Sequence, residues 1–107
     1  MDNAPVNDPV LTRFRAALDE AYGSRLDQAV LFGSRARGDA RPDSDYDVAV
    51  FLRDMPDRWR ELDLLANLQV QLFDETGAFV VALPYRSEAL GDSSPLMGEI
   101  RREGLNL

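Results

Sequence analysis

Ala29-Val30-Leu31-Phe32-Gly33-Ser34-Arg35-Ala36-Arg37-Gly38 leads, through a polar loop, into Ser44-Asp45-Tyr46-Asp47-Val48-Ala49-Val50-Phe51. Ala29 to Phe32 is a short, wholly apolar run, as expected of a buried strand. Gly33-Ser34 turns the chain out of it into about one helical turn, and Arg41-Pro42-Asp43-Ser44 is a loop of turn formers. Asp45 to Leu52 then reads as a second strand. Side chains alternate along a strand, so Asp45, Asp47, Ala49 and Phe51 share one face and Tyr46, Val48, Val50 and Leu52 the other. The connection of about twelve residues leaves the relative direction of the two strands open.

Outward from this unit, Asp8-Pro9 has the form of a helix start, with Asp as cap and Pro at the first helical position. Val10, Leu11, Phe14, Leu18 and Ala21 follow at helical spacing until Gly23. After Asp54-Met55-Pro56-Asp57, a longer helix carries Trp59, Leu62, Leu65, Ala66, Leu68, Leu72 and Phe73 as a single inward stripe, and Gly77 ends it. Tyr46 is assigned to the core as well. Ala78 to Pro84 reads as a third strand. Ser93-Ser94-Pro95 starts a last helix with Leu96, Met97 and Ile100 inward, stopped by Gly104. The order α-β-turn-β-α-β-α predicts an α/β (α+β) fold, a small mixed sheet of three or more strands flanked by helices. Residues 1–107 form one domain in this reading, with 1–7 a flexible N-terminus.

Composition removes whole classes of chemistry. The 107 residues contain no cysteine and no histidine. That excludes a Cys or His nucleophile, a Ser-His-Asp triad and a Cys/His zinc site. All 12 cationic side chains are arginine, so there is no Schiff-base or phosphate-loop lysine. Carboxylates, hydroxyls, arginines and hard metal ions remain. A net charge of -7 argues against the chain clamping bare nucleic acid and fits a basic protein partner or plain solubility. No apolar run approaches membrane length and no signal peptide is evident, so the cytoplasm is the expected location.

Residues two apart on a strand lie about 6.5–7 Å apart and point the same way, so Asp45 and Asp47 can converge on divalent cations. An unpaired carboxylate beside Val48-Ala49-Val50-Phe51 would be costly, which favours a ligand role for the pair over a chance strand-end charge. Gly33 permits close approach of a phosphate to the main chain, and the Ser34 hydroxyl with the following N–H groups can bind its oxygens. Gly-Ser after a strand is also a common turn, and it gains meaning here only from its distance to the aspartates. Arg35, Arg37 and Arg41 could compensate triphosphate charge. Taken singly, each fits a solvated loop better, with Arg37 or Arg41 paired to Asp39 or Asp43.

Gly33-Ser34, ten residues, then Asp45-x-Asp47 resembles the signature of the polymerase-beta-type nucleotidyltransferase superfamily. Gly33-Ser34-Arg35-Ala36-Arg37-Gly38 with Ser44-Asp45-Tyr46-Asp47 is most similar to its minimal branch, the MNT antitoxin-like proteins. The resemblance implies catalytic and magnesium-binding roles for Asp45 and Asp47, with two ions accompanying the nucleotide. It also implies ATP or another nucleoside triphosphate held at Gly33 and Ser34, with weaker transferred roles for Arg35 and Arg37. The implied reaction moves a nucleoside monophosphate, AMP foremost, to a hydroxyl and releases pyrophosphate. In the minimal branch the acceptor can be a tyrosine of a partner HEPN-type toxin.

One departure matters. Active members usually add a third carboxylate from the next core strand, and Ala78-Phe79-Val80-Val81-Ala82-Leu83 carries no acid. Glu75, Glu88 or Asp92 would have to reach in from the flanks. Losing a general base costs roughly 10²–10⁴-fold in rate. Two readings follow: a magnesium-dependent nucleotidyltransferase, and a catalytically weak or inactive protein of the same fold that neutralises a partner by binding alone. An aminoglycoside-modifying transferase fits less well, since such enzymes need extra structure for the acceptor.

Overall fold

The computed structural model describes residues 7–107. The expected flexible N-terminus, but for Asn7, therefore lies outside the described residues. The elements are α1 (Pro9–Tyr22), β1 (Leu26–Phe32), α2 (Ser34–Arg37), β2 (Tyr46–Leu52), α3 (Arg58–Thr76), β3 (Val80–Arg86), α4 (Pro95–Glu103) and β4 (Leu105–Asn106). The four strands form one mixed sheet in the order β3-β2-β1-β4. β1 runs antiparallel to both β2 and β4, and β2 runs parallel to β3. The parallel pair needs a crossover, which α3 supplies. The Cα radius of gyration is 13.0 Å.

Local chemistry explains where the elements start and stop. The Asp8 carboxylate accepts from the Val10 N–H at 2.8 Å and from the Tyr46 hydroxyl at 3.0 Å, so one side chain caps α1 and ties it to β2. Asp57 caps α3 through the Arg60 N–H, and Gly77 closes that helix at φ +75°. The third strand begins two residues later than the apolar run suggests, at Val80, because β-pairing with Tyr46 sets its register. β2 likewise begins at Tyr46, leaving Asp45 at its mouth. Gly104 ends α4 for a different reason from the left-handed turn expected of a stop glycine. Its φ is -67°, and a Cβ there would lie 2.5 Å from both the Ile100 carbonyl oxygen and Val30 Cγ1. It is a glycine because helix and strand touch there.

The sheet is covered on both faces. α1 and α3 pack Leu11, Phe14, Leu18, Leu65 and Leu72 on the face of Val48, Val50 and Leu52. α4 packs Met97 and Ile100 on the opposite face, against Val30, Ala49 and Phe51. The alternation read along β2 therefore holds, and α4 lies on the same face as Asp47. The α3 stripe needs correction. Leu65 and Leu72 are buried, but Trp59 is 79% exposed and Phe73 40%, and Ala66 is exposed too. The helix carries two apolar strips, and only one meets the sheet.

Glu61 is buried at 3% exposure on α3 and is paired with Arg25, whose guanidinium also donates to Asp54 at 2.8 Å. Changing Arg25 to Ala strands a buried carboxylate. With Arg25 itself 37% exposed, solvent moderates the loss to about 2 kcal/mol, readable in a urea melt, and adding Glu61→Leu should restore most of it.

Candidate active site

Phe32 lies opposite Asp47 in the β1–β2 ladder, so the residue that leaves β1, Gly33, is carried to the Asp47 carboxylate. Gly33 has φ +75° and ψ -155°, a region almost reserved for glycine. A Cβ at Gly33 would sit 2.7 Å from Asp47 Oδ2. The backbone thus calls for glycine at position 33, and a side chain there would have to displace the Asp47 carboxylate. The carbonyl of Gly33 accepts from the N–H groups of Ala36 and Arg37, both at 3.1 Å, which closes the single turn of α2 with Ser34 at its start.

Asp47 is half-buried and Asp45 exposed. The Asp47 carboxyl is held above the usual carboxylate range, chiefly by burial, then by the negative charges of Asp45 and Glu99, with Arg37 opposing. Gly33, Ser34, Asp45 and Asp47 therefore gather at one corner of the sheet, and Arg37 joins them electrostatically. Arg35 does not. Its guanidinium donates to the Ser44 carbonyl at 2.8 and 2.9 Å and the Pro42 carbonyl at 3.1 Å, and it stacks 3.9 Å above the Tyr46 ring. Tyr46 faces away from Asp47, so Arg35 braces the loop that delivers Asp45. The cavities bordering Arg35 include neither aspartate in their lining.

Arg37 is engaged by acids: Asp39 at 3.3 Å, Glu99 at 3.2 Å and Glu103 at 3.7 Å. Glu99 and Glu103 belong to α4 and were not singled out in the sequence. The available signal was indirect: Met97 and Ile100 pack on the Ala49–Phe51 face, which brings their helix over the Asp47 side. Of the acids considered as a third carboxylate, Glu75 is held by Arg13 at 2.8 Å and belongs to α3, the layer on the opposite face. On β3, Val81 stands beside Asp47, where an acid from that strand would have to be.

Two aspartates offer hard oxygen donors crowded by like charge, a set that suits magnesium. Among the described residues no three acidic side chains converge closely enough to enclose a cation. Waters and substrate phosphates would have to complete the shell, which is how magnesium is usually held.

A raised carboxyl pKa has a definite sign in folding. Asp47 binds its proton more tightly folded than unfolded, so its ionisation destabilises the fold as pH rises from the unfolded value through the folded one. Asp47→Asn should therefore raise the melting temperature of the metal-free protein at pH 7, with the gain disappearing in acid. A melt series over pH 3–7 with no such convergence would contradict this.

The polymerase beta nucleotidyltransferase family model matches residues 20–83, more than half of the chain and including the whole glycine–aspartate corner. The chain belongs to this family. A Methanocaldococcus jannaschii protein provisionally named protein adenylyltransferase MJ0141 is 36% identical over 47 residues, covering 44% of this chain and 48% of that one. The chain thus spans about half the length of the curated relative it matches. A solved structure provisionally named a minimal nucleotidyltransferase aligns at TM-score 0.61 and 26% identity, covering 94% of this nucleotidyltransferase chain and 98% of the other. A toxin–antitoxin crystal structure with AMP-PNP aligns at TM-score 0.61 and 21% identity, covering 94% and 72%. At that identity the second likeness speaks for the fold. Among the described residues no helix is long and apolar enough to cross a membrane.

Proposed function

We propose that this nucleotidyltransferase binds a magnesium–nucleoside triphosphate, ATP foremost, through Asp45 and Asp47, with the phosphates on Gly33 and Ser34. It transfers the nucleoside monophosphate to a hydroxyl. The observation that carries this is the contact of the Asp47 carboxylate with Gly33 at the end of β1, with Asp45 two residues away at the mouth of β2. The acceptor hydroxyl gives its proton to solvent as its oxygen attacks the α-phosphorus, the bond from that phosphorus to the bridging oxygen breaks, and pyrophosphate leaves. Magnesium, when bound, supplies charge neutralisation of the phosphates. The chain's own part is to present two carboxylates beside a turn whose backbone favours glycine. Arg37 can exchange its carboxylate partners for phosphate, and Arg35 keeps the loop in place.

We further assign the acceptor to a tyrosine of a partner HEPN-type toxin, in the cytoplasm, with the chain as antitoxin. Support comes from the toxin–antitoxin neighbours, one carrying AMP-PNP and another a variant with two aspartates, two positions apart, changed to glutamate. Incubation with radiolabelled ATP, magnesium and the product of the adjacent gene should label that protein on tyrosine, and absence of label on any acceptor would count against the assignment.

Val81 beside Asp47 favours a second reading, in which the fold neutralises its partner by binding alone. In that case protection against the toxin survives loss of both aspartates and weakens with salt.

A further inference from the structure

α3 carries an apolar stripe along its length, exposed at Trp59, Ala66, Val70 and Phe73 and half-buried at Leu62. Trp59 is 79% exposed and Val70 61%, and Phe73 stacks on Phe79 with ring centroids 4.5 Å apart, extending the patch to the edge of β3. The stripe runs about 21 Å at 1.5 Å per residue. None of its residues enters the two packed cores of the sheet, and it lies outside the candidate active site.

The edge beside it is closed to an added strand. The Ala82 N–H donates to Gln69 Oε1 at 2.9 Å, the Pro84 carbonyl accepts from Arg58 Nη1 at 2.7 Å, and Pro84 has no N–H. Side-chain capping and proline are the usual means of blunting an edge. Whatever covers this face reads side chains on a helix.

The spacing points to a second copy of this chain. About Ala66, the large residues fall in matched positions: Trp59 and Phe73 seven residues either side, Leu62 and Val70 four either side. An antiparallel helix pair related by a two-fold axis through Ala66 sets each aromatic of one copy against an aromatic end of the other. A residue as small as alanine at the crossing allows interaxial approach at the short end of the usual 8–10 Å. On the polar flank, the same operation brings Arg60 of each copy alongside Asp74 of the other, and Asp63 alongside Asn67, with no like charges opposed. A self-complementary patch of this kind is what an isologous dimer requires. We infer that the chain pairs with itself through the outer face of α3.

Because the chain has no cysteine, a single introduced thiol reports the geometry. Ala66→Cys sits on the two-fold axis, and Gln71→Cys sits on the same helix away from it. Under mild oxidation Ala66→Cys should form a disulfide-linked pair at least tenfold faster than Gln71→Cys. Sedimentation equilibrium of the full chain should give the mass of two copies. Ala66→Glu, a change at an exposed site, should give one copy with an unaltered circular dichroism spectrum. A single-copy mass at about 100 μM overturns the inference, even if another protein is found to occupy the stripe. So does a dimer that Ala66→Glu leaves intact, or equal crosslinking rates for the two thiols.

Discussion

With Asp45 and Asp47 both changed to asparagine, transfer of labelled AMP to an acceptor should fall by at least about 10²–10³-fold, the scale on which fixed electrostatic groups act in such sites. The expectation rests on the charge of the site rather than its shape. Asparagine keeps nearly the volume and the hydrogen-bonding capacity of aspartate but removes both anions. Asp45 is exposed at the mouth of β2, and burial with two neighbouring negative charges disfavours the Asp47 anion, so neither anion serves folding. The double variant should therefore fold at least as well as the parent. A loss of transfer accompanied by a lower melting temperature would point to damage rather than chemistry. Retained transfer would remove the aspartates from the reaction.

The second large effect is expected at Gly33, and its neighbour Gly38 provides the control. Both have positive φ, +75° and +82°, and both flank α2. A Cβ at Gly38 meets nothing within 4 Å, whereas one at Gly33 lies 2.7 Å from Asp47 Oδ2. Gly38 also adopts the ordinary left-handed conformation, while Gly33, at ψ -155°, does not. Gly38→Ala should cost about 1 kcal/mol and leave nucleotide affinity nearly unchanged. Gly33→Ala should cost about 1–3 kcal/mol and push the Asp47 carboxylate out of place, weakening magnesium–nucleotide binding at least tenfold. Titration of both variants beside the parent separates the two effects. Equal affinities for Gly33→Ala and the parent would mean that the glycine–aspartate contact has no part in binding.

The corner that carries these predictions was legible because it is local. An apolar run ending in Gly-Ser and a strand opening with alternating aspartates are patterns of period two and of backbone permission, and neither needs distant residues to be recognised. The helix cap at Asp8 and the stop at Gly77 were legible on the same grounds. The failures lie where tertiary packing decides. Periodicity in α3 marks apolar positions but not which of two strips faces the sheet, so Trp59 and Phe73 were placed inside although Leu65 and Leu72, with Leu68 at their margin, fill that role, beside the buried Glu61 that Arg25 pairs. The run from Ala78 is apolar throughout, and only its register against β2 sets the start of β3 at Val80. Glu99 comes to Arg37 from 62 positions away, across the packing of α4 on the sheet, and no local pattern announces it. Arg35 was grouped with Arg37 by proximity in sequence, yet successive residues on a helical turn point in different directions, and one braces a loop while the other faces the site.

Calorimetric titration of ATP into the protein with magnesium tests the central claim most directly. A saturable heat is expected for the parent chain, lost when magnesium is withheld and lost again in the Asp45→Asn, Asp47→Asn double variant. No heat in the parent, or an isotherm that the double variant reproduces, would contradict the assignment of the two carboxylates to a metal-bound nucleotide.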